Sequence, residues 1–284
     1  MPELPEVTTI VKGLQHKIIG FRIKSVWTDY KKNAKNLNLL KGKVIKKVTR
    51  RGKNILIYLS QDYILLIHQK ISGHLLLGRW ILKNGVWVPM QNNGISLDRV
   101  NNYIHFMITF DNGEMLALSD LRKFAKIIVG KKQDIESLKE LVSLGKDPFD
   151  KTFTKTWLIK KIEHNTRSIK QVLMDQTIIA GIGNIYSDEI LFDAQISPLR
   201  KANSLTGVEI EKIYKSIKKI LKLAIRYKGT SVSDFRDIHG YPGEFSKMLK
   251  VYNKKSGKCV KCHSDIKTIK INGRTAHYCP KCQK

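Results

Sequence analysis

The last 26 residues hold all four cysteines of the chain, as Cys259-x2-Cys262 and, sixteen residues on, Cys279-x2-Cys282. This spacing fits a zinc site built from two knuckles. Four thiolates would close a tetrahedral shell around Zn2+ and leave no position for water or substrate, so the expected metal is structural. Two disulfides are the alternative, and His263 finds no vacancy in a four-cysteine shell. Between the pairs, Ile266 to Tyr278 reads as strand, turn, strand, with Asn272-Gly273 suited to a type I′ hairpin. Arg274 follows that turn directly, where a guanidinium is presented either to a phosphate or simply to solvent. A second candidate is Gly181-Ile182-Gly183-Asn184 ahead of a helix. Its glycines allow backbone N–H groups to approach an anion, though the same turn could merely connect two helices.

Those groups need elements to hold them. Val7, Ile10, Val11, Leu14 and Ile18 recur at helical spacing behind Pro5, with Gly20 as a stop, so the chain opens on a helix. Alternating segments follow at 44–48, 54–59, 64–68, 75–80, 103–110, 115–119 and 126–129, with Asp111-Asn112-Gly113 as a hairpin signal. They predict a β-sandwich or barrel over residues 1–130. Residues 131–152 are charged, lose the alternation and read as a linker. The period then turns helical over 153–243, where Thr206 and Glu209 form a capping box for a long helix with Ile210, Ile213, Ile217, Ile220 and Ala224 inward. Residues 244–284 form the finger, and 82–102 reads as a polar surface loop.

Charge points to the partner. In 284 residues, 52 Lys+Arg against 24 Asp+Glu give a formal charge of +28. Folding alone gives no reason to carry that self-repulsion, and a polyanion relieves it. No segment is apolar over the roughly 18 to 20 residues of a membrane span, and Met1 to Val7 is acidic where a signal peptide would be basic. A DNA-binding, cytoplasmic monomer without membrane attachment is expected.

Several blocks carry a resemblance. Met1-Pro2-Glu3-Leu4-Pro5-Glu6-Val7 resembles the opening of the bacterial formamidopyrimidine-DNA glycosylase family, and the likeness continues along essentially the whole chain. Arg50-Arg51-Gly52-Lys53 is similar to the family's lysine-bearing strand entry, and His68-Gln69-Lys70-Ile71-Ser72-Gly73 to its H-L-G-M-S-G loop. Asp120 to Phe124 resembles the arginine-phenylalanine loop, Leu144 to Phe149 the linker, Asp175 to Phe192 the helix-two-turn-helix signature, and Tyr278 to Lys284 the end of the zinc finger.

The resemblance implies an α+β multidomain protein: a β-sandwich opened by a catalytic helix, a helix-two-turn-helix domain and a β-hairpin zinc finger. It implies excision of oxidised purines, 8-oxoguanine and formamidopyrimidines, from double-stranded DNA, followed by β,δ-elimination. Removal of Met1 would expose the secondary amine of Pro2, which titrates near pH 8 and supplies a neutral nucleophile for C1′ of a sugar. By the same resemblance Glu3 transfers protons at the deoxyribose and Glu6 supports it, although both acids also suit a helix N-terminus. Lys53 and Arg274 are implied to bind phosphate and aid elimination. Arg167, Lys170 and Asn184 are implied to grip the backbone. Ile71, Arg122 and Phe124 would fill the gap left by an everted base, Arg122 pairing with an orphaned cytosine. Residues 228–243 resemble the loop that covers the lesion.

The chain departs from the family pattern at Lys70 for a frequent glycine, Ile71 for methionine, Tyr103 for a DNA-contacting histidine and Ala125 for glycine. Two other readings are an endonuclease VIII-like enzyme for oxidised pyrimidines, against which Leu4, Arg122 and Phe124 argue, and a non-catalytic zinc-finger DNA-binding protein.

Overall fold

The structure, a computed structural model, describes the chain except residues 31–33, 92, 233 and 255–256. Asn92 and Ser233, which fall within the segments 82–102 and 228–243, thus lie outside the described residues. The chain forms two compact units, residues 1–142 with 227–246, and residues 143–226 with 247–284.

In the first unit, helix α1 spans Leu4–Gln15. Glu3 caps it in extended conformation and shares a reciprocal capping box with Glu6, the Glu3 amide donating to Glu6 Oε2 at 2.8 Å. Pro5 sits in the first turn, where its missing N–H costs nothing. The strands are β1 (Ile23–Thr28), β2 (Ala34–Lys35), β3 (Ile45–Arg51), β4 (Asn54–Leu59), β5 (Tyr63–His68), β6 (His74–Gly78), β7 (Trp80–Lys83) and β8 (Val86–Pro89). Helix α2 (Gly94–Leu97) precedes β9 (Ile104–Phe110), β10 (Met115–Ser119) and β11 (Lys126–Lys131). Two sheets result, in orders β1-β9-β10-β6 and β2-β11-β5-β4-β3. Their facing side chains, among them Phe106, Ile108, Leu118, Ile57, Ile67 and Val129, make one core with Val7, Ile10, Val11 and Leu14 of α1. The expected sandwich is therefore a sandwich, with the opening helix packed into it.

Three expectations need correction. Residues 82–102 are not a loose surface loop: β7 and β8 pair as a hairpin, and Trp80, Ile95 and partly buried Trp87 cover the outer face of the first sheet beside Leu76, Met107 and Trp27. The signal was present in the apolar runs Trp80-Ile81-Leu82 and Val86-Trp87-Val88 on either side of Asn84-Gly85, a hairpin pattern. The expected linker 131–152 carries α3 (Lys132–Glu136) and α4 (Lys139–Val142), and the boundary between units falls at Val142/Ser143. Each helix is too short to show a period. Finally, residues 228–243 do not belong with the helical unit. They pack on the first unit, where Ile238 O accepts the Leu77 amide at 2.8 Å and Arg236 Nε meets Asp98 Oδ2 at 2.5 Å. At Gly13 of α1 an added Cβ would lie 2.8 Å from Ile238 Cδ1, so the helix and this returning segment touch closely.

The second unit contains α5 (Lys155–Ile162), α6 (Ile169–Met174), α7 (Asn184–Ala194) and α8 (Gly207–Arg226). Thr154 caps α5, Ser168 forms a capping box with Gln171 on α6, and Thr206 with Glu209 does so on α8 as expected. The inward row Ile210, Ile213, Ile217, Ile220 and Ala224 is buried. Strands β12 (Lys267–Ile271) and β13 (Arg274–Tyr278) form the hairpin, with Asn272 at φ 45° and Gly273 at φ 73°, both left-handed as a type I′ turn requires.

Candidate active site

The chain terminus lies in a buried, charged neighbourhood. Pro2 is buried, and Glu3, Glu6 and Lys53 are 2%, 1% and 6% exposed. Burial pulls the amine of Met1, which here precedes Pro2, below its ordinary value of 8.0; the carboxylates of Glu3 and Glu6 oppose the shift and the Lys53 ammonium adds to it. Lys53 is delivered by the tight β3–β4 turn, where Gly52 takes φ 57°. Arg50 Nε donates to Thr8 Oγ1 at 2.7 Å and ties that turn to α1. The structure thus brings Pro2, Glu3, Glu6 and Lys53 together. Glu6 has a second task, because its Oε1 accepts the Thr230 amide at 2.6 Å. Gly229, at φ 81°, has no room for a side chain there: a Cβ would sit 2.7 Å from that same oxygen.

Two loops carry the expected insertion residues. Ile71 is 40% and Phe124 51% exposed, Arg122 is exposed and Tyr103 half-buried. Large apolar side chains held in water are what a wedge between bases requires. Lys70, the departure from glycine, takes φ 54°, and its amide donates to His68 Nδ1 at 3.0 Å. Burial, then the charges of Lys70 and Lys53, hold the His68 imidazole neutral, its pKa down at about 3. An unfolded histidine titrates near 6.5. Protonation therefore favours the unfolded chain, and the stability tied to neutral His68 is complete above pH 6.5 and lost as pH falls towards 3. An NMR titration should find this ring neutral at pH 5. A midpoint near 6.5 would contradict the packing of the loop.

In the second unit, Arg167, Asp175, Asn272 and Arg274 line a groove of about 420 Å³ with Lys170 at its wall. Arg274 is exposed at the hairpin tip, and Arg167 Nη1 contacts Asp175 Oδ2 at 2.8 Å. Lys170 departs from its expected role as a DNA contact: it is 1% exposed and ion-paired with buried Asp188. Asp188 Oδ2 also accepts the His277 amide at 2.9 Å, so the pair anchors β13 and, through it, Arg274. A carboxylate without this cation would be left charged and buried, which is why the lysine turns inward. Asn184 opens α7, and its Oδ1 is buried with no hydrogen-bond partner among the described residues. Gln176 staples the preceding turn, Nε2 donating to Ile182 O at 2.6 Å and Oε1 accepting from Gly181 at 2.9 Å.

Sequence reasoning missed Asp188, Gln176 and Glu189. The Glu189 carboxylate accepts the amides of Lys250, Val251 and Tyr252 at 3.0, 2.9 and 2.9 Å, and burial raises its pKa. The available signal was the pair Asp188-Glu189 set among Ile185, Tyr186, Ile190, Leu191 and Phe192.

The four cysteine sulfurs lie within 4.8 Å of one another. Cys262 and Cys279 are 3.4 Å apart and Cys259 and Cys282 3.8 Å, well beyond an S–S bond of about 2.05 Å. A tetrahedron with Zn–S near 2.3 Å has edges of roughly 3.8 Å. The donor set suits structural zinc, as the spacing predicted.

Fold and site together define a helix-two-turn-helix protein with a four-cysteine hairpin. The sequence matches the formamidopyrimidine-DNA glycosylase N-terminal domain over residues 1–127, the formamidopyrimidine-DNA glycosylase H2TH domain over 144–236, and the zinc finger found in FPG and IleRS over 256–284. It is 37% identical over 290 residues to the formamidopyrimidine-DNA glycosylase of Pelotomaculum thermopropionicum, covering 100% of this chain and 99% of that one. Against the Carboxydothermus hydrogenoformans protein of the same name the figure is 38% over 291 residues, with 100% of both chains covered. Among solved structures, a Lactococcus lactis FPG mutant in complex with Fapy-dG-containing DNA superposes with a TM-score of 0.86 at 30% identity, covering 100% of both chains. The MutM (FPG) protein of Thermus thermophilus gives 0.84 at 29% identity, with 99% of this chain and 98% of that one covered. The chain belongs to the formamidopyrimidine-DNA glycosylase family. Among the described residues no helix is long and apolar enough to cross a membrane.

Proposed function

We propose that the protein is a bifunctional DNA glycosylase and abasic-site lyase that removes oxidised purines, 8-oxoguanine and formamidopyrimidines, opposite cytosine in double-stranded DNA. The observation that carries this reading is the burial of Pro2 in the neighbourhood of Glu3, Glu6 and Lys53. Once Met1 is cleaved, the neutral amine of Pro2 attacks C1′ and the glycosidic bond breaks, its electron pair leaving with the base. Glu3 protonates the ring oxygen as the sugar opens, and the nitrogen loses its proton to give an iminium. That cation acidifies the C2′ proton, whose loss expels the 3′ phosphate; a second elimination expels the 5′ phosphate. Lys53 and Arg274 hold those phosphates and favour their departure. Glu6 keeps the capping loop in place rather than touching the sugar.

Phe124 and Ile71 fill the vacated stack and Arg122 pairs with the orphaned cytosine, with Tyr103 beside them. Arg167 and Asn184 take backbone phosphates in the second unit. One Zn2+ on Cys259, Cys262, Cys279 and Cys282 stiffens the hairpin and has no part in bond breaking. We assign the catalytic domain to residues 1–142 with 227–246.

Borohydride trapping on duplexes carrying 8-oxoguanine or oxidised thymine, each with mass-spectrometric mapping, tests this. An adduct at Pro2, formed faster with 8-oxoguanine opposite cytosine, is expected. Faster trapping on oxidised thymine would favour the endonuclease VIII-like reading. No adduct with either, despite tight binding, would leave a DNA-binding protein without catalysis.

A further inference from the structure

One fully buried carboxylate near the site has no place in the chemistry above. Asp120 follows β10 with 0% exposure. Its Oδ1 accepts the Ser72 hydroxyl at 2.5 Å and the Arg122 amide at 3.4 Å. Its Oδ2 accepts the Ala125 amide at 2.8 Å and the Tyr30 hydroxyl at 2.9 Å. Ser72 Oγ itself accepts the Arg122 amide at 3.2 Å. The backbone closes the same knot, with Lys123 N donating to Asp120 O at 3.1 Å and Asp120 N to Tyr103 O at 2.8 Å. Lys123, strained to φ 53°, is held from outside by Asp29 at 2.8 Å.

The four side chains assigned to the vacated stack and the orphaned base hang from this point. Ile71 precedes Ser72, Phe124 precedes Ala125, and Arg122 and Tyr103 bond to Asp120 through their own backbones. Packing does little to hold the apolar tips of these loops, because Ile71, Leu121 and Phe124 are 40%, 51% and 51% exposed. An ionised carboxylate only accepts, and the three donors within 2.9 Å of it in a dry site make strong, directional bonds, with the Arg122 amide a longer fourth. We propose that Asp120 is the positioning residue that locks the loops 68–73 and 121–125 into one body, so that the wedge and the orphan-base arginine enter DNA in fixed mutual register. The proposal rests on the reading of Ile71, Arg122 and Phe124 as insertion residues. Without the lock, the loops would be ordered only on binding, adding an entropic cost to the few kcal/mol already needed to unstack a base.

Asp120→Asn keeps the shape but turns one acceptor into a donor. Ser72 and Tyr30 hydroxyls can rotate to accept from it; the amides of Arg122 and Ala125 cannot, so either Ala125 loses its partner or Arg122 is left with Ser72 Oγ alone, and the remaining bonds are made to a neutral group. Excision of 8-oxoguanine opposite cytosine should fall about tenfold to a hundredfold, the loss of one hydrogen bond to a buried charge. Cleavage of a ready-made abasic site, where no base has to be unstacked, should stay within about threefold. Preference for cytosine over adenine opposite the lesion should narrow. Equal losses of both activities together with a lowered melting temperature would reduce Asp120 to a structural residue and overturn the proposal. So would unchanged excision by this variant while Phe124→Ala and Arg122→Ala are impaired. If those two variants also excise normally, the insertion reading fails and takes this inference with it. Should Asp120→Asn not fold, Ser72→Ala carries the same test, with the same split between excision and abasic cleavage at about threefold to tenfold.

Discussion

Protein whose terminal amine is acylated, or which retains Met1, should form no borohydride-stable adduct and lose both base excision and strand cleavage by at least about a thousandfold, as happens when a covalent nucleophile is removed. The buried neighbourhood gives the reason. Burial holds the Met1 amine below 8.0; Pro2 beside it is itself buried, so the amine exposed by loss of Met1 is expected to share that shift and to supply a neutral fraction at physiological pH. The sign follows: trapping should rise with pH to a plateau whose midpoint lies below 8.0, and fall as the amine becomes protonated on acidification. Acylation removes the lone pair whatever the pH. Binding to an uncleavable abasic analogue, measured in parallel, should persist. Excision by the acylated chain at a normal rate would move the nucleophile elsewhere, and Lys53, 6% exposed in the same neighbourhood, would be the first to examine.

Removal of zinc should have the next largest effect. The core under the finger consists of Cys259, Cys279, Ile266, Val251 and Phe192 with little else. So small a cluster does not hold a hairpin, whereas structural zinc contributes on the order of 10 to 16 kcal/mol in comparable small domains. A strong chelator, or Cys279→Ser, should melt the hairpin, displace Arg274 from the groove it shares with Arg167, and weaken DNA binding by at least about a hundredfold. Circular dichroism and a binding titration before and after zinc is restored would check this. Unchanged affinity in the metal-free protein would show that the hairpin holds itself.

Local chemistry was easy to read in the sequence, and long-range pairing was not. Glu3, Pro5 and Glu6 announced α1, Thr206 and Glu209 announced α8, and Asn272-Gly273 announced the hairpin, because caps and tight turns are decided by adjacent residues. Strand β1 escaped because only Ile23 of its six residues is fully buried. The candidate site divides in the same way. Pro2, Glu3 and Glu6 lie together in sequence, and Lys53 was legible only through the family likeness. Lys170 looked like a surface cation because the carboxylate that buries it is eighteen residues away, on α7. Asp120 was legible only as the first residue of the block that resembles the arginine-phenylalanine loop, since its partners Tyr30 and Ser72 come from elsewhere in the fold.

The return of residues 227–246 to the first unit also bears on how the chain is made. During synthesis the ribosome releases α1 and the described strands of the first unit first, yet the Thr230 amide that Glu6 receives lies 224 residues beyond Glu6 itself. At about 5 to 20 residues per second that interval is on the order of ten to fifty seconds. The carboxylate beside the proposed nucleophile is therefore completed late, once the α8 sequence has emerged, and a nascent chain stalled before Tyr227 carries an unfinished candidate site.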